Sequence, residues 1–276
     1  MKFRHLISII VIFITLYSCK STSDEPVINP LEGLTKLSEG YAIGAAAKVE
    51  LWGNKNFFVG YNNVIVVIYD SLNLKEKITD AHIHFIPVVS SGSGASTIEQ
   101  ISPAENPNET PINEVFSGTV TFVKASDSNN TWKLGIAVHN HKVDKEGEVI
   151  LNITVDNSTP SLVKSFTSIN ADSTKFVLSL LKPIKPKEGT NELEFSLNEN
   201  TSSLGWSTDD NYTVEINTEM PDMWYSSHSY IITKNIGNGH YTGSFDLSMG
   251  GEWRINVVVK NNGVVFSKNV YFTLNI

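Results

Sequence analysis

The chain has 276 residues, 41% hydrophobic and 18% charged, with a formal net charge of -8. That length holds two domains of ordinary size, each able to bury a core. The acidic balance and the absence of any Lys/Arg run leave phosphate neutralisation without a source, so a nucleic-acid partner is excluded, and a single cysteine, Cys19, excludes a disulfide framework.

In chain order, residues 1–19 read as an export signal. Lys2 and Arg4 precede an apolar run from Leu6 to Tyr17, shorter than the roughly 20 residues of a membrane-spanning helix. Leu16-Tyr17-Ser18-Cys19 closes the run and resembles a bacterial lipobox, which implies lipidation of Cys19 as the mature N-terminus. A signal anchor and a cleaved soluble protein are the competing readings. Residues 20–40, beginning "KSTSDEPVINP", are polar and without period, the composition of a flexible tether. The expected location is the bacterial cell envelope, on the periplasmic or surface face of the outer membrane, held there by the lipid. The acidic pair Asp24 and Glu25 reads as a surface-export signal or as ordinary linker.

Beyond the tether the chain matches itself. "GYNNVIVVIY" from Gly60 lies over "GTNELEFSLN" from Gly189, with Val64, Val66 and Ile68 over Leu193, Phe195 and Leu197. Apolar residues at every second position mark strands with one buried face, and the Gly-x-Asn before each is turn chemistry. "FSGTVTF" from Phe116 lies over "YTGSFDL" from Tyr241, and "TWKLGIAVHN" from Thr131 over "EWRINVVVKN" from Glu252; only the loop between these two blocks changes length. The expected fold is all-β, two tandem immunoglobulin-like β-sandwiches over residues 41–157 and 158–276. Trp132 and Trp253 are expected in the two cores. A carbohydrate platform would draw instead on the loop aromatics Trp206, Trp224 and Tyr225.

Two groups of side chains carry metal-binding chemistry. In the first unit His82 and His84 flank Ile83, and His139 and His141 flank Asn140, so each pair projects from one side of a strand. Convergence of the two pairs would offer nitrogen ligands to Cu(II) or Zn(II). The alternative is the polar face of an edge strand, with Lys260 and Asn262 as the second unit's counterparts of His139 and His141. In the second unit Met220, Met223 and Met249 are every methionine outside the initiator. With His228 they make a candidate soft site for Cu(I), against the reading that methionines fill gaps at sandwich edges.

The order of Gly189 and Asn191, Met220-Pro221-Asp222-Met223 with His228, Gly239-His240-Tyr241-Thr242-Gly243, and Met249-Gly250-Gly251-Glu252-Trp253 resembles the YtkA-like domain, related to the FixH-like family. The resemblance covers most of the second unit. In the first it survives in the strands and Trp132, with "HIHFIPVV" (His82 to Val89) in place of the Met-Pro-x-Met segment. It implies an extracytoplasmic immunoglobulin-like sandwich associated with copper handling or cytochrome oxidase maturation. No Gly-x-Ser-x-Gly, phosphate-binding loop, dinucleotide fingerprint or His-Glu-x-x-His is present, and a non-enzymatic role is expected. Three function classes follow: a copper or other transition-metal carrier, a docking or spacer module for an envelope protein complex, and a surface carbohydrate-binding protein. The first predicts converging ligands, the second an exposed apolar patch, the third an aromatic platform.

Overall fold

The computed structural model describes residues 29–92, 97–99, 101–170, 173–200, 205–226 and 230–276. Cys19, the export segment, the tether up to residue 28 and His228 lie outside the described residues. The first sandwich is built from β1 (Thr35–Ala42), β2 (Ala47–Gly53), β3 (Phe57–Phe58), β4 (Gly60–Asp70), β5 (Ala81–Ser91), β6 (Thr97–Glu99), β7 (Ala104–Glu105), β8 (Phe116–Phe122), β9 (Asn130–Asn140), β10 (Lys145–Ile153) and β11 (Val155–Asp156). One sheet runs β1-β2-β4-β8-β7, the other β10-β9-β5-β6, and β11 pairs β3 in parallel.

The second sandwich follows with β12 (Val163–Thr167), β13 (Lys175–Lys182), β14 (Gly189–Asn200), β15 (Tyr212–Met220), β16 (Tyr225–Ser226), β17 (Ile231–Ile232), β18 (Lys234–Gly237), β19 (His240–Leu247), β20 (Glu252–Asn261), β21 (Val264–Val265) and β22 (Val270–Asn275). Its first sheet, β12-β13-β14-β19-β18, repeats the order of the first unit's larger sheet; its second is built on β15 and β20, with β16 and β17 beside β15 and β21 and β22 beside β20.

The two copies agree residue by residue in their ladders. Asn62 stands opposite Val120 and Gly60 opposite Phe122, as Asn191 stands opposite Phe245 and Gly189 opposite Leu247. The Gly-x-Asn that opens β4 and β14 also does the same job twice. Gly60 (φ 141°) and Gly189 (φ 84°) turn the chain through a region open chiefly to glycine. The Asn62 amide then donates to the carbonyls of Phe58 and Gly60 (2.7 and 2.7 Å), and its oxygen accepts from the Phe58 N–H at 3.0 Å. Asn191 donates to the carbonyls of Lys187 and Gly189 (2.7 and 2.9 Å) and accepts from the Lys187 N–H at 3.0 Å. Both asparagines are buried, and this bonding is what makes their burial tolerable.

Trp132 and Trp253 are buried one in each core. The indole N–H groups donate to loop carbonyls, Lys124 at 3.0 Å and Met249 at 2.9 Å. Phe122 meets Trp132 edge-on at 5.0 Å between centroids, a favoured aromatic geometry.

Two boundaries differ from expectation. The first sandwich begins at Thr35, so residues 35–40 belong to strand β1 and not to the tether. That segment reads as linker because an edge strand is polar on its outer side. Here Lys36, Glu39, Lys48 and Glu50 form ion pairs of 2.6–3.3 Å across β1 and β2 while Leu37 packs inward. The segment His82 to Val89 does not replace Met-Pro-x-Met. Val89 pairs with Trp132, and Glu219 with Arg254, one rung before Trp253. Following that register, Val89 corresponds to Met220, and the histidine strand corresponds to β15 itself.

The two units are not beads on a string. β13 is buried on both faces: Phe176, Leu178 and Leu180 enter the second core, while Val177 joins Val163 in the first unit's core cluster. Beside Val177, the Ser179 hydroxyl reaches the Thr121 hydroxyl at 3.4 Å.

Candidate functional site

Three clusters were built by this frame. The first is the end of the second sandwich. β15 runs into a 3-10 turn, Pro221–Met223, that ends on Trp224 with its N–H on the Pro221 carbonyl (3.3 Å) and left-handed φ of 51°. Proline suits the first position of such a turn because its missing N–H would be unpaired there. Met220 points into the second core and is 6% exposed. A Cβ placed on Gly251 would come within 2.5 Å of its methyl, so the thioether fills the space that glycine leaves. Met223 is 62% and Met249 46% exposed. They lie at the same end, where the turn packs on β20 and Trp253 binds the Met249 carbonyl. Tyr225 crosses the Trp253 ring at 5.8 Å, and Trp224 is 97% exposed. The alternation Tyr212, Val214, Ile216, Thr218, Met220 is buried at every second residue, so one sulfur is packing and two face solvent. Trp206 packs against the first core, away from this end.

The second cluster lies on the outer face of the first sandwich. β5 and β9 pair His82 directly with His139; His84 follows opposite Ala137, and the His141 N–H bonds the Asp80 carbonyl just past the ladder. Alternation drives Ala81, Ile83 and Phe85 inward and the imidazoles outward. Ring centroids are 5.5 Å apart for His82 and His84, 5.9 Å for His82 and His141, and 4.8 Å for His139 and His141. Carboxylates surround them. His82 Nε2 is 2.9 Å from Glu109, His139 Nε2 3.1 Å from Asp144, and His141 Nδ1 2.6 Å from Asp80. The Asn106 amide lies 3.0 Å from His84 Nδ1. A shallow cleft of about 420 Å³ is lined by His82, His84, His139, Glu146 and Glu148. As the side chains stand, no group of three or more His, Cys, Asp or Glu among the described residues is arranged around one point for a metal ion. The sequence spacing placed each pair on one side of its strand; the carboxylates around them carried no signal.

The third cluster went unseen in the sequence. His240, on β19, places Nε2 3.2 Å from Glu105 of the first sandwich and Nδ1 3.4 Å from Glu194 on β14. The Tyr61 hydroxyl donates to the other Glu105 oxygen at 3.1 Å, and its ring meets the imidazole edge-on at 5.8 Å. The bond to Glu105 raises the His240 pKa, with Glu194 adding to it against the opposing effect of burial. Burial pushes the Tyr61 hydroxyl up. Tyr61 and Glu194 also border a cleft of about 760 Å³ between the sandwiches, with Phe58 and Lys182.

The model of the family described as YtkA-like matches residues 169–258. That stretch takes in Gly189, Asn191, His240, the three methionines and Trp253, and leaves the first sandwich and its histidines outside. No curated protein sequence matches the chain.

Proposed function

We propose, from the premise that the second sandwich is a YtkA-like domain, that the protein is a non-enzymatic lipoprotein of the bacterial cell envelope that binds copper for storage or delivery. Lipid on Cys19 tethers it to the membrane, and the ion is taken as Cu(I) at the exposed end of the second sandwich. The observation that carries this reading is the pair of solvent-facing thioethers, Met223 and Met249, at one end of the domain. Thioether sulfur is a soft donor suited to Cu(I), and His228 is the third ligand in this reading. Met220 drops out of the ligand set because its sulfur belongs to the core. The test is a Cu(I) titration of the chain lacking residues 1–19 under a competing chelator. Met223→Leu with Met249→Leu is expected to weaken binding at least tenfold, and Met220→Leu to leave it within about twofold. Equal affinity in the double variant overturns the copper reading.

One observation favours a second reading, a docking module for an envelope protein complex. Trp224 is 97% exposed on left-handed backbone, beside Met223 and Tyr225. A bulky residue in that conformation is uncommon, and an exposed tryptophan is a typical interface anchor. Photo-crosslinking from position 224 in cells distinguishes the two: one discrete adduct supports docking, and none leaves copper as the role.

A further inference from the structure

The four histidines of the first sandwich lie outside the region matched by the YtkA-like model and outside the Cu(I) reading. We propose that this outer face is a second, nitrogen-donor metal site, taking a borderline divalent ion, Cu(II) or Zn(II), through His82, His139 and His141, with His84 at its rim. The inference stands apart from the thioether site and does not need it.

The duplicated frame supplies an internal control. At the positions of His82, His84 and His139 the second sandwich carries Thr213, Glu215 and Lys260, and Lys260 reaches Glu215 at 2.7 Å. A plain ion pair therefore satisfies this surface, so the fold does not call for imidazole there. Four of the chain's seven histidines nonetheless occupy it.

Two of the three ring separations lie near the value the chemistry asks for. A tetrahedral ion with Zn–N bonds of about 2.0–2.1 Å holds its imidazole centroids roughly 5 Å apart. The centroids here are separated by 4.8 Å (His139 and His141) and 5.9 Å (His82 and His141) without any ion. The donors do not converge on one point as they stand, so capture requires the partly exposed rings to rotate on their paired strands. The carboxylates contribute as well. Glu109, Asp144 and Asp80 each engage one nitrogen of His82, His139 and His141. A carboxylate on the far nitrogen orients a metal-bound imidazole and raises its basicity. For His82 and His141 that pairing directs Nδ1 and Nε2, respectively, to the ion. With Nε2 of His139 on Asp144, the nitrogen left for the ion is Nδ1, which gives up its 3.8 Å approach to Glu146 on binding.

The experiment uses the chain lacking residues 1–19 and titrates Cu(II) and Zn(II) separately by calorimetry, with electron paramagnetic resonance on the Cu(II) form. The parent is expected to take one equivalent, with hyperfine structure from at least two nitrogens. His82→Ala with His139→Ala is expected to weaken binding at least tenfold, and Met223→Leu with Met249→Leu to leave it unchanged. Absence of stoichiometric binding by the parent, or equal affinity in the histidine variant, overturns the proposal. So does loss of Cu(II) binding in the methionine variant alone, which moves the ion to the other site. Should the alanine variant lower the melting midpoint, His82→Gln with His139→Gln keeps the shape of the face and is read the same way. Failure of the Cu(I) titration with retained Cu(II) binding would remove the thioether reading and leave this one standing.

Discussion

Where the first sandwich sets His82 opposite His139, the second sets Thr213 opposite Lys260. Where the first ends β5 on a buried Val89 and two serines, the second reaches a buried Met220 and then Pro221, Asp222, Met223 and the exposed Trp224. The inward residues and turn asparagines keep their bonds between copies; the outward residues and strand ends do not. The difference separates what the fold needs from what has been added to it. Function lives in such additions and not in the sandwich itself.

The comparison can be broken most forcefully at the tryptophans. Trp132→Ala and Trp253→Ala each empty a core position and leave a loop carbonyl without its donor, with an expected loss of about 3–5 kcal/mol apiece. Denaturant unfolding should find similar losses in both; a large imbalance would mean that the rings are not equivalent. Next in size come Asn62→Ala and Asn191→Ala. Each strips a buried turn of three hydrogen bonds, for an expected cost of about 1–3 kcal/mol. Thermal melts in which only one of the pair destabilises would contradict the shared turn. Met220→Leu, a volume-conserving core change, should cost less than about 1.5 kcal/mol; a larger loss would show that the thioether does something a hydrocarbon cannot.

The smallest expected effect is a pH dependence that the first sandwich lacks at the matching position. His240 corresponds to the buried Val115, since Tyr241 matches Phe116. Its folded pKa is raised from 6.5 by Glu105 and Glu194. The stabilisation from charged His240 is therefore fully present below that unfolded value and is lost as pH rises through the raised folded one. Lys182, paired with Glu194 and Glu192, keeps its charge throughout this range, its pKa raised by those partners. His240→Gln should flatten the change in unfolding midpoint across that window, and an unaltered profile would assign the dependence to other groups.

Much of the frame was legible because it repeats. Period-2 alternation, Gly-x-Asn and a matched tryptophan locate β4, β9, β14 and β20; Met220, expected as a candidate ligand, is placed in the core only by the alternation of β15. Strand β1 was hidden because its outward side chains are as polar as a linker. The histidine face was half visible: His-x-His gives a side of a strand, but the pairing of His82 with His139 depends on a register that local sequence does not carry. The His240 contact to Glu105 joins residues 135 positions apart across the domain interface, and nothing near either residue signals it.

The indole bonds of Trp132 and Trp253 have a consequence for protein engineering. Each ring holds the preceding loop by one carbonyl, Lys124 or Met249, while the loop between these blocks differs in length from copy to copy. Lys124 and Met249 each stand two residues past the end of their strand, Phe122 or Leu247, so the difference in length lies wholly between the anchor and the indole. The segment between Lys124 and Trp132, or between Met249 and Trp253, is therefore a natural port for a reporter peptide or a fluorophore, one the duplication has already tried at two lengths.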